Sequence, residues 1–124
     1  LHATFLDRVR SDEVICTPHH KEYEALMKNS KGKIPERVVI LKKGSDDCII
    51  SGDKKYENRT GVQEMAVAGT GDVLAGLAAG FLAQHLGPAQ SAINAAYLNG
   101  RAGERARRRL GNFSAEELLD FLVK

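Results

Sequence analysis

The sequence predicts an α/β domain in which a few strands are followed by three packed helices. Three observations carry this reading. Short β-branched runs bounded by turn residues fill the first half. The run Val38-Val39-Ile40-Leu41 is apolar without alternation, the pattern of a strand covered by helices on both faces. From Asp72 to the end, apolar residues recur at helical spacing. Strands first and stacked helices afterwards look like one half of a layered α/β domain.

The elements follow in order. Leu1, Phe5, Leu6 and Val9 fall near one face, so Leu1 to Arg10 is predicted to end a helix. Glu13 to Cys16 is a short strand, stopped where Pro18 forces Thr17 to be extended. Lys21 to Asn29, with Tyr23, Leu26 and Met27 in phase, is a short helix ending near Gly32. Val38 to Leu41 is the buried strand, and Cys48 to Ile50 is another beyond a turn at Gly44 to Asp47. Gly52-Asp53 is a further turn, and Tyr56 to Ala68 has no period, which predicts a loop or an irregular strand. The helix from Asp72 is apolar nearly all round, which predicts burial on every side. Pro88 suits the first turn of the next helix, which runs to about Arg109. Its row of Ala92, Ala96, Asn99, Gly103 and Ala106 permits close packing. Ser114 and Glu117 form a capping box for the last helix.

Composition narrows the function classes. The 124 residues suffice for one domain with a real core, and 43% are hydrophobic against 27% charged. Eighteen Lys and Arg against sixteen Asp and Glu leave +2, too mild a charge for a nucleic-acid or membrane partner. Aromatics are 6% with no Trp, a poor supply of base-stacking platforms. Cys16 and Cys48 lack metal-ligand spacing, and no basic and apolar leader opens the chain. These features predict a cytoplasmic protein with free thiols and no protein-held metal. The longest apolar run, Val73 to Ala83, is far short of the ~20 residues of a bilayer span.

Gly69-Thr70-Gly71-Asp72 carries the strongest chemical signal. Glycines at a helix mouth leave backbone N–H groups bare, and with the helix dipole these suit a phosphate. An Asp in that turn can take a proton from a hydroxyl, or hold a metal ion against the phosphate. The spacing serves equally a carboxylate favoured by the dipole alone. The dinucleotide and P-loop fingerprints both fail here, for want of a third Gly and of a Lys. Thr17-Pro18-His19, with Glu22 three places on, stands at a strand's carboxyl end, where α/β sheets bind ligands. Lys43-Gly44 stands at another, and Asn58-Arg59-Thr60-Gly61 is a polar turn before the glycines. As structure alone, these are capped or solvated turns. The arginines Arg101 to Arg109 suit a helix C-terminus better than a nucleic-acid patch.

Thr-Pro-His with Glu, a strand ending in Lys-Gly, Asn-x-Thr-Gly and then GTGDVLAG resemble, in order and spacing, the ADP/ATP-dependent NAD(P)H-hydrate dehydratases of the ribokinase-like superfamily. Gly-Thr-Gly-Asp alone is shared with hydroxymethylpyrimidine and hydroxyethylthiazole kinases. His19 discriminates, since those kinases usually carry Asn there. The family usually has Gly where Ala68 stands, Asn for Val62 and His for Asn99.

The resemblance implies a ribokinase-like three-layer α/β/α fold, of which residues 1–124 form the C-terminal half, because family members are more than twice as long. It implies repair of hydrated NADH or NADPH at the expense of ADP or ATP, with Mg2+ as a companion of the nucleotide. Asp72 would be the base and contact the hydrated dinucleotide with His19. Gly69, Thr70 and Gly71 would hold the phosphate, and Lys43, Asn58 and Gly61 would line the nucleotide side. The missing half, or a second copy, is the implied partner, because Val38 to Leu41 is expected to stand unpaired on one side. A small-molecule kinase of the superfamily and a non-catalytic half that needs a partner chain are the alternatives.

Overall fold

The computed structural model describes residues 13–44, 46–61 and 70–122. The proposed helix at Leu1 to Arg10, and Val62, Ala68 and Gly69, lie outside them. The described strands are β1 (Val14–Cys16), β2 (Val38–Lys42), β3 (Asp47–Ser51) and β4 (Lys54–Asn58). The helices are α1 (His20–Ser30), α2 (Thr70–Ala83), α3 (Pro88–Leu110) and α4 (Ala115–Leu119).

The sheet runs in the order β1-β2-β3-β4. β1 and β2 are parallel, with Val14 opposite Val38 and Cys16 opposite Ile40, and α1 forms their crossover. β2, β3 and β4 form an antiparallel meander in which Leu41 faces Ile49 and Ile49 faces Tyr56. Val38 to Leu41 are all buried, as their uninterrupted apolar run requires. Successive side chains point to opposite faces. Val39, Leu41 and Ile49 therefore pack with Leu74, Ala78, Ala92, Ala95 and Ala96 of α2 and α3. Val38 and Ile40 pack on the other face with Cys16 and Leu26, beneath α1. Three layers result. Fully burying a Leu or Ile contributes roughly 1.5–3 kcal/mol, so this one strand anchors both cores.

Three expectations need correction. β2 is paired on both sides, and β1, of three residues, and β4 form the two edges of the sheet among the described strands. Lys54 to Asn58 is a regular strand, joined to β3 by the two-residue turn Gly52-Asp53. Its sequence KKYEN hides this because its first four residues are exposed, so no face of it had to be apolar. The charges suit an edge strand, which they guard against further pairing. Third, α2 is not buried all round: Leu74 and Ala78 are buried, while Gly76, Ala79, Gly80 and Ala83 are exposed. Small residues made it read as a core helix, yet one face packs and the other is open.

The C-terminal helices otherwise follow the pattern. Gln84 to Gly87 turn α2 back onto α3, with His85 in the left-handed region at φ 64° and the Leu86 N–H donating to Phe81 O. Pro88 takes the first position of α3 after the N-cap Gly87. Ala92, Ala96, Asn99, Gly103 and Ala106 form its buried row. Ser114 and Glu117 make the reciprocal capping box of α4, and Leu118 and Phe113 join Ala102 and Ala106 in a third cluster. Arg107, Arg108 and Arg109 are exposed in the last turn of α3, where the helix dipole favours cations. No described helix is long and apolar enough to cross a membrane.

Candidate functional site

β1 and β2 run in the same direction, so their carboxyl ends share one edge of the sheet. β4 ends there as well, because Asn58 stands opposite Asp47 at the start of β3. The topology thus gathers the turns after Cys16, Lys42 and Asn58, although they are far apart in sequence.

Lys43 ties this edge to the helix mouth. Its N–H donates to Pro18 O at 2.9 Å, joining the end of β2 to the turn that precedes His19. Its side chain extends to the first turn of α2, where a Cβ built on Gly71 would stand 2.9 Å from Lys43 Nζ. Glycine at 71 therefore gives the ammonium its seat. The helix begins at Thr70, two residues earlier than the Asp72 expected, so Gly71 and Asp72 lie inside its first turn. The first four N–H groups of any α-helix have no partner within it, and they face this edge. Asp72 is exposed in that turn.

A lysine ammonium at the positive end of a helix is in an unfavourable place, by about 0.3–1 kcal/mol near a surface. The arrangement becomes favourable when an anion lies between the two. Acidic neighbours already offset part of the charge. Asp47 accepts from the Gly44 N–H at 3.1 Å. Partial burial pushes its carboxyl above the usual range, while that hydrogen bond and the Lys43 charge pull it down. Asp47 was not singled out in the sequence; the Gly44-to-Asp47 spacing, typical of a side chain closing its own turn, was the available signal.

His19 is the N-cap of α1. Its Nδ1 accepts from the Glu22 N–H at 3.2 Å, and Glu22 Oε1 accepts from the His19 N–H at 3.0 Å. This is a capping box with imidazole in place of the usual hydroxyl. The hydrogen bond from His19, the largest cause, holds the Glu22 carboxyl below its usual range, and the Lys43 charge acts the same way. His19, Lys43, Gly71 and Asp72 thus belong to one edge.

Asn58 and Gly61 share that edge but turn toward α3. The Asn58 amide donates to Ala96 O at 3.0 Å. The Thr60 hydroxyl lies 2.9 Å from Asn58 Oδ1 and 3.2 Å from Tyr97 O, two acceptors for one proton. The Gly61 N–H donates to Glu104 Oε1 at 3.4 Å. A Cβ on Gly100 would stand 2.0 Å from Thr60 Oγ1, so only glycine lets the turn sit this close. The turn fixes where the chain leaves β4 on its way to α2. Sequence reading took Thr60 only as part of a polar turn and missed Gly100, and their pairing is long-range with no local pattern.

Cys16 and Cys48 are free, and burial pushes the Cys16 thiol up, which keeps it unreactive. Among the described residues no three His, Cys, Asp or Glu converge as metal ligands.

Comparison with known proteins bears on the fold and the family. The family model described as NAD(P)H-hydrate dehydratase matches residues 3–124. An ADP-dependent (S)-NAD(P)H-hydrate dehydratase of Cenarchaeum symbiosum is 37% identical, over 94% of this chain and 46% of that protein. Its counterpart in Nitrosopumilus maritimus is 36% identical, over 86% and 42%. A Bacillus subtilis ADP/ATP-dependent NAD(P)H-hydrate dehydratase, crystallised with ATP and Mg2+, superposes with a TM-score of 0.66 at 31% identity, over 89% of this chain and 46% of that one. A Streptococcus mutans protein superposes at 0.77 with 23% identity, which speaks for the fold alone. The chain spans just under half the length of the Cenarchaeum and Nitrosopumilus dehydratases.

Proposed function

Since the chain belongs to the NAD(P)H-hydrate dehydratase family, we propose that it is the nucleotide-handling half of a repair enzyme that dehydrates hydrated NADH or NADPH using ADP or ATP. The observation that carries the reading is the Lys43 ammonium seated against Gly71 at the mouth of α2. Two positive features meet there, and a phosphate between them resolves their repulsion.

In this reading Gly69, Thr70 and Gly71 offer their N–H groups to the phosphoryl group in transfer. Asp72 takes the proton from the hydroxyl of the hydrated ring as that oxygen attacks phosphorus. Phosphorylation converts a poor leaving group into a good one, and elimination of the phosphate, with loss of a proton from the neighbouring ring carbon, then restores the double bond. His19 contacts the dinucleotide. Lys43 holds the nucleotide phosphates, and Asn58 and Gly61 shape its side of the pocket by anchoring the turn on α3. Mg2+ would arrive on the nucleotide's own oxygens, since the described residues supply no cage for it. Residues 1–124 act as one part of a single domain, completed by the half present in the longer relatives.

The test is a dehydration assay on the intact protein with ADP, ATP or no nucleotide, together with a Lys43→Met variant. Nucleotide-dependent recovery of NADH from its hydrate, reduced in the variant, is expected. Phosphoryl transfer to small alcohols without dehydration would replace this reading with a kinase of the same fold.

A further inference from the structure

Asn99 is a carboxamide set in the small-residue row of α3. The residue is 5% exposed, and its Oδ1 is buried without a hydrogen-bond partner. A buried acceptor left unpaired costs stability, and such groups mark catalytic or binding positions and the seats of bound water or ions. Asn99 is bracketed by both parts of the candidate site. On one side, Gly100 lies against Thr60 and Ala96 O accepts from the Asn58 amide, so the turn after β4 is its neighbour. On the other, Ala95 and Ala96 share a cluster with Leu74, while Ala102 and Ala106 pack with Val73. Asn99 falls between these alanines on α3, and the short turn Gln84 to Gly87 sets α3 antiparallel to α2. It therefore stands opposite the first turn of α2, between that turn and the Asn58-to-Gly61 segment.

We propose that Asn99 is a further phosphate-binding residue, whose carboxamide N–H groups donate to the nucleotide phosphate at the first turn of α2. The proposal rests on the functional reading given above. No partner of Oδ1 fixes the rotation of the amide, so its plane can turn to present either end. The Lys43 ammonium and the positive end of α2 make the surroundings favour an anion. An anion selects the orientation with the NH2 group toward it, because only that end donates. The amide then adds a neutral, directional donor where Lys43 supplies charge. This separates Asn99 from the alanines of its row: they pack, whereas the amide is kept at a cost to the fold.

The test is a calorimetric titration of ADP into the intact protein, beside denaturant unfolding, for the unaltered sequence, Asn99→Ala and Asn99→Asp. Asn99→Ala matches its neighbours in the row, suits a helix better and removes the unpaired acceptor, so the unfolding midpoint should stay level or rise. Its affinity for ADP should fall about tenfold, the effect of losing one hydrogen bond to a charged group. Asn99→Asp keeps the size but puts a negative charge in place of the donors, and should bind ADP more weakly still. Unchanged ADP affinity in either variant would overturn the proposal and leave the functional reading standing. A fall in both midpoint and affinity in Asn99→Ala would make the amide a part of the scaffold and overturn it as well. Failure of the unaltered protein to bind ADP would bring down the functional reading and this proposal together.

Discussion

The Lys43 ammonium occupies the space that a side chain on Gly71 would fill, with 2.9 Å between Nζ and the position of a Cβ. One residue ends a strand and the other opens a helix, and their contact joins the sheet edge to the helix mouth. The clashing atom is the far end of a flexible side chain, so it can move at little cost. Gly71→Ala should therefore leave stability level or raise it, since Ala is about 1 kcal/mol better than Gly within a helix. It should weaken nucleotide binding about tenfold, because the ammonium loses its charge-assisted contact. Thermal melts beside nucleotide titrations check this; a fall in both would show the glycine to be structural alone.

Gly100 makes the opposite prediction. A Cβ there meets Thr60 Oγ1 at 2.0 Å and the Thr60 carbonyl carbon at 2.6 Å, and backbone cannot swing aside. Gly100→Ala should cost roughly 1–3 kcal/mol or more through overpacking, and should detach the Asn58-to-Gly61 turn from α3. Denaturant unfolding measures the loss. A variant of unchanged midpoint would mean that the turn is not docked as described.

Two carboxylates should shape acid stability in opposite senses. The Glu22 carboxyl is held low in the fold, so its contribution is present above its unfolded value of about 4.3 and is lost as pH falls through the folded value. Asp47 is pushed up by burial, so the native state binds its proton more readily than the unfolded chain. Stability therefore declines as pH rises from about 3.9 through the raised value. Glu22→Gln should remove the rise and Asp47→Asn the decline. Unfolding midpoints between about pH 3 and 6 test both, and an unaltered profile in either variant contradicts the assignment.

The sequence carried the two-faced burial of β2, the small-residue row of α3 and the capping box of Ser114 and Glu117, because each is a local pattern tied to a period. β4 escaped because an edge strand with exposed side chains needs no apolar face. The open face of α2 escaped because Gly and Ala read alike in a core and on a surface. At the site, His19, Lys43, Gly71 and Asp72 were legible as strand ends and a helix mouth. Their meeting at one edge was expected from the strand-end positions and the resemblance; the seat of the Lys43 ammonium against Gly71 was not, since it is a long-range approach with no local pattern. The docking of Thr60 on Gly100 depends on an approach across 40 residues of chain that no local motif records.

The central claim is that the first turn of α2 performs the chemistry, with Asp72 as the base. Asp72→Asn keeps the size of the side chain and leaves untouched the N–H groups proposed to hold phosphate, but it removes the proposed proton acceptor. General-base catalysis contributes a factor of ~100 to 10,000. The decisive measurement is turnover of hydrated NADH by the intact Asp72→Asn protein, beside a nucleotide titration on the same sample. The account predicts a fall in turnover of about that size with nucleotide affinity preserved. Near-normal turnover, with at most ~1 kcal/mol of lost stability, would reduce Asp72 to a carboxylate favoured by the helix dipole and contradict the account.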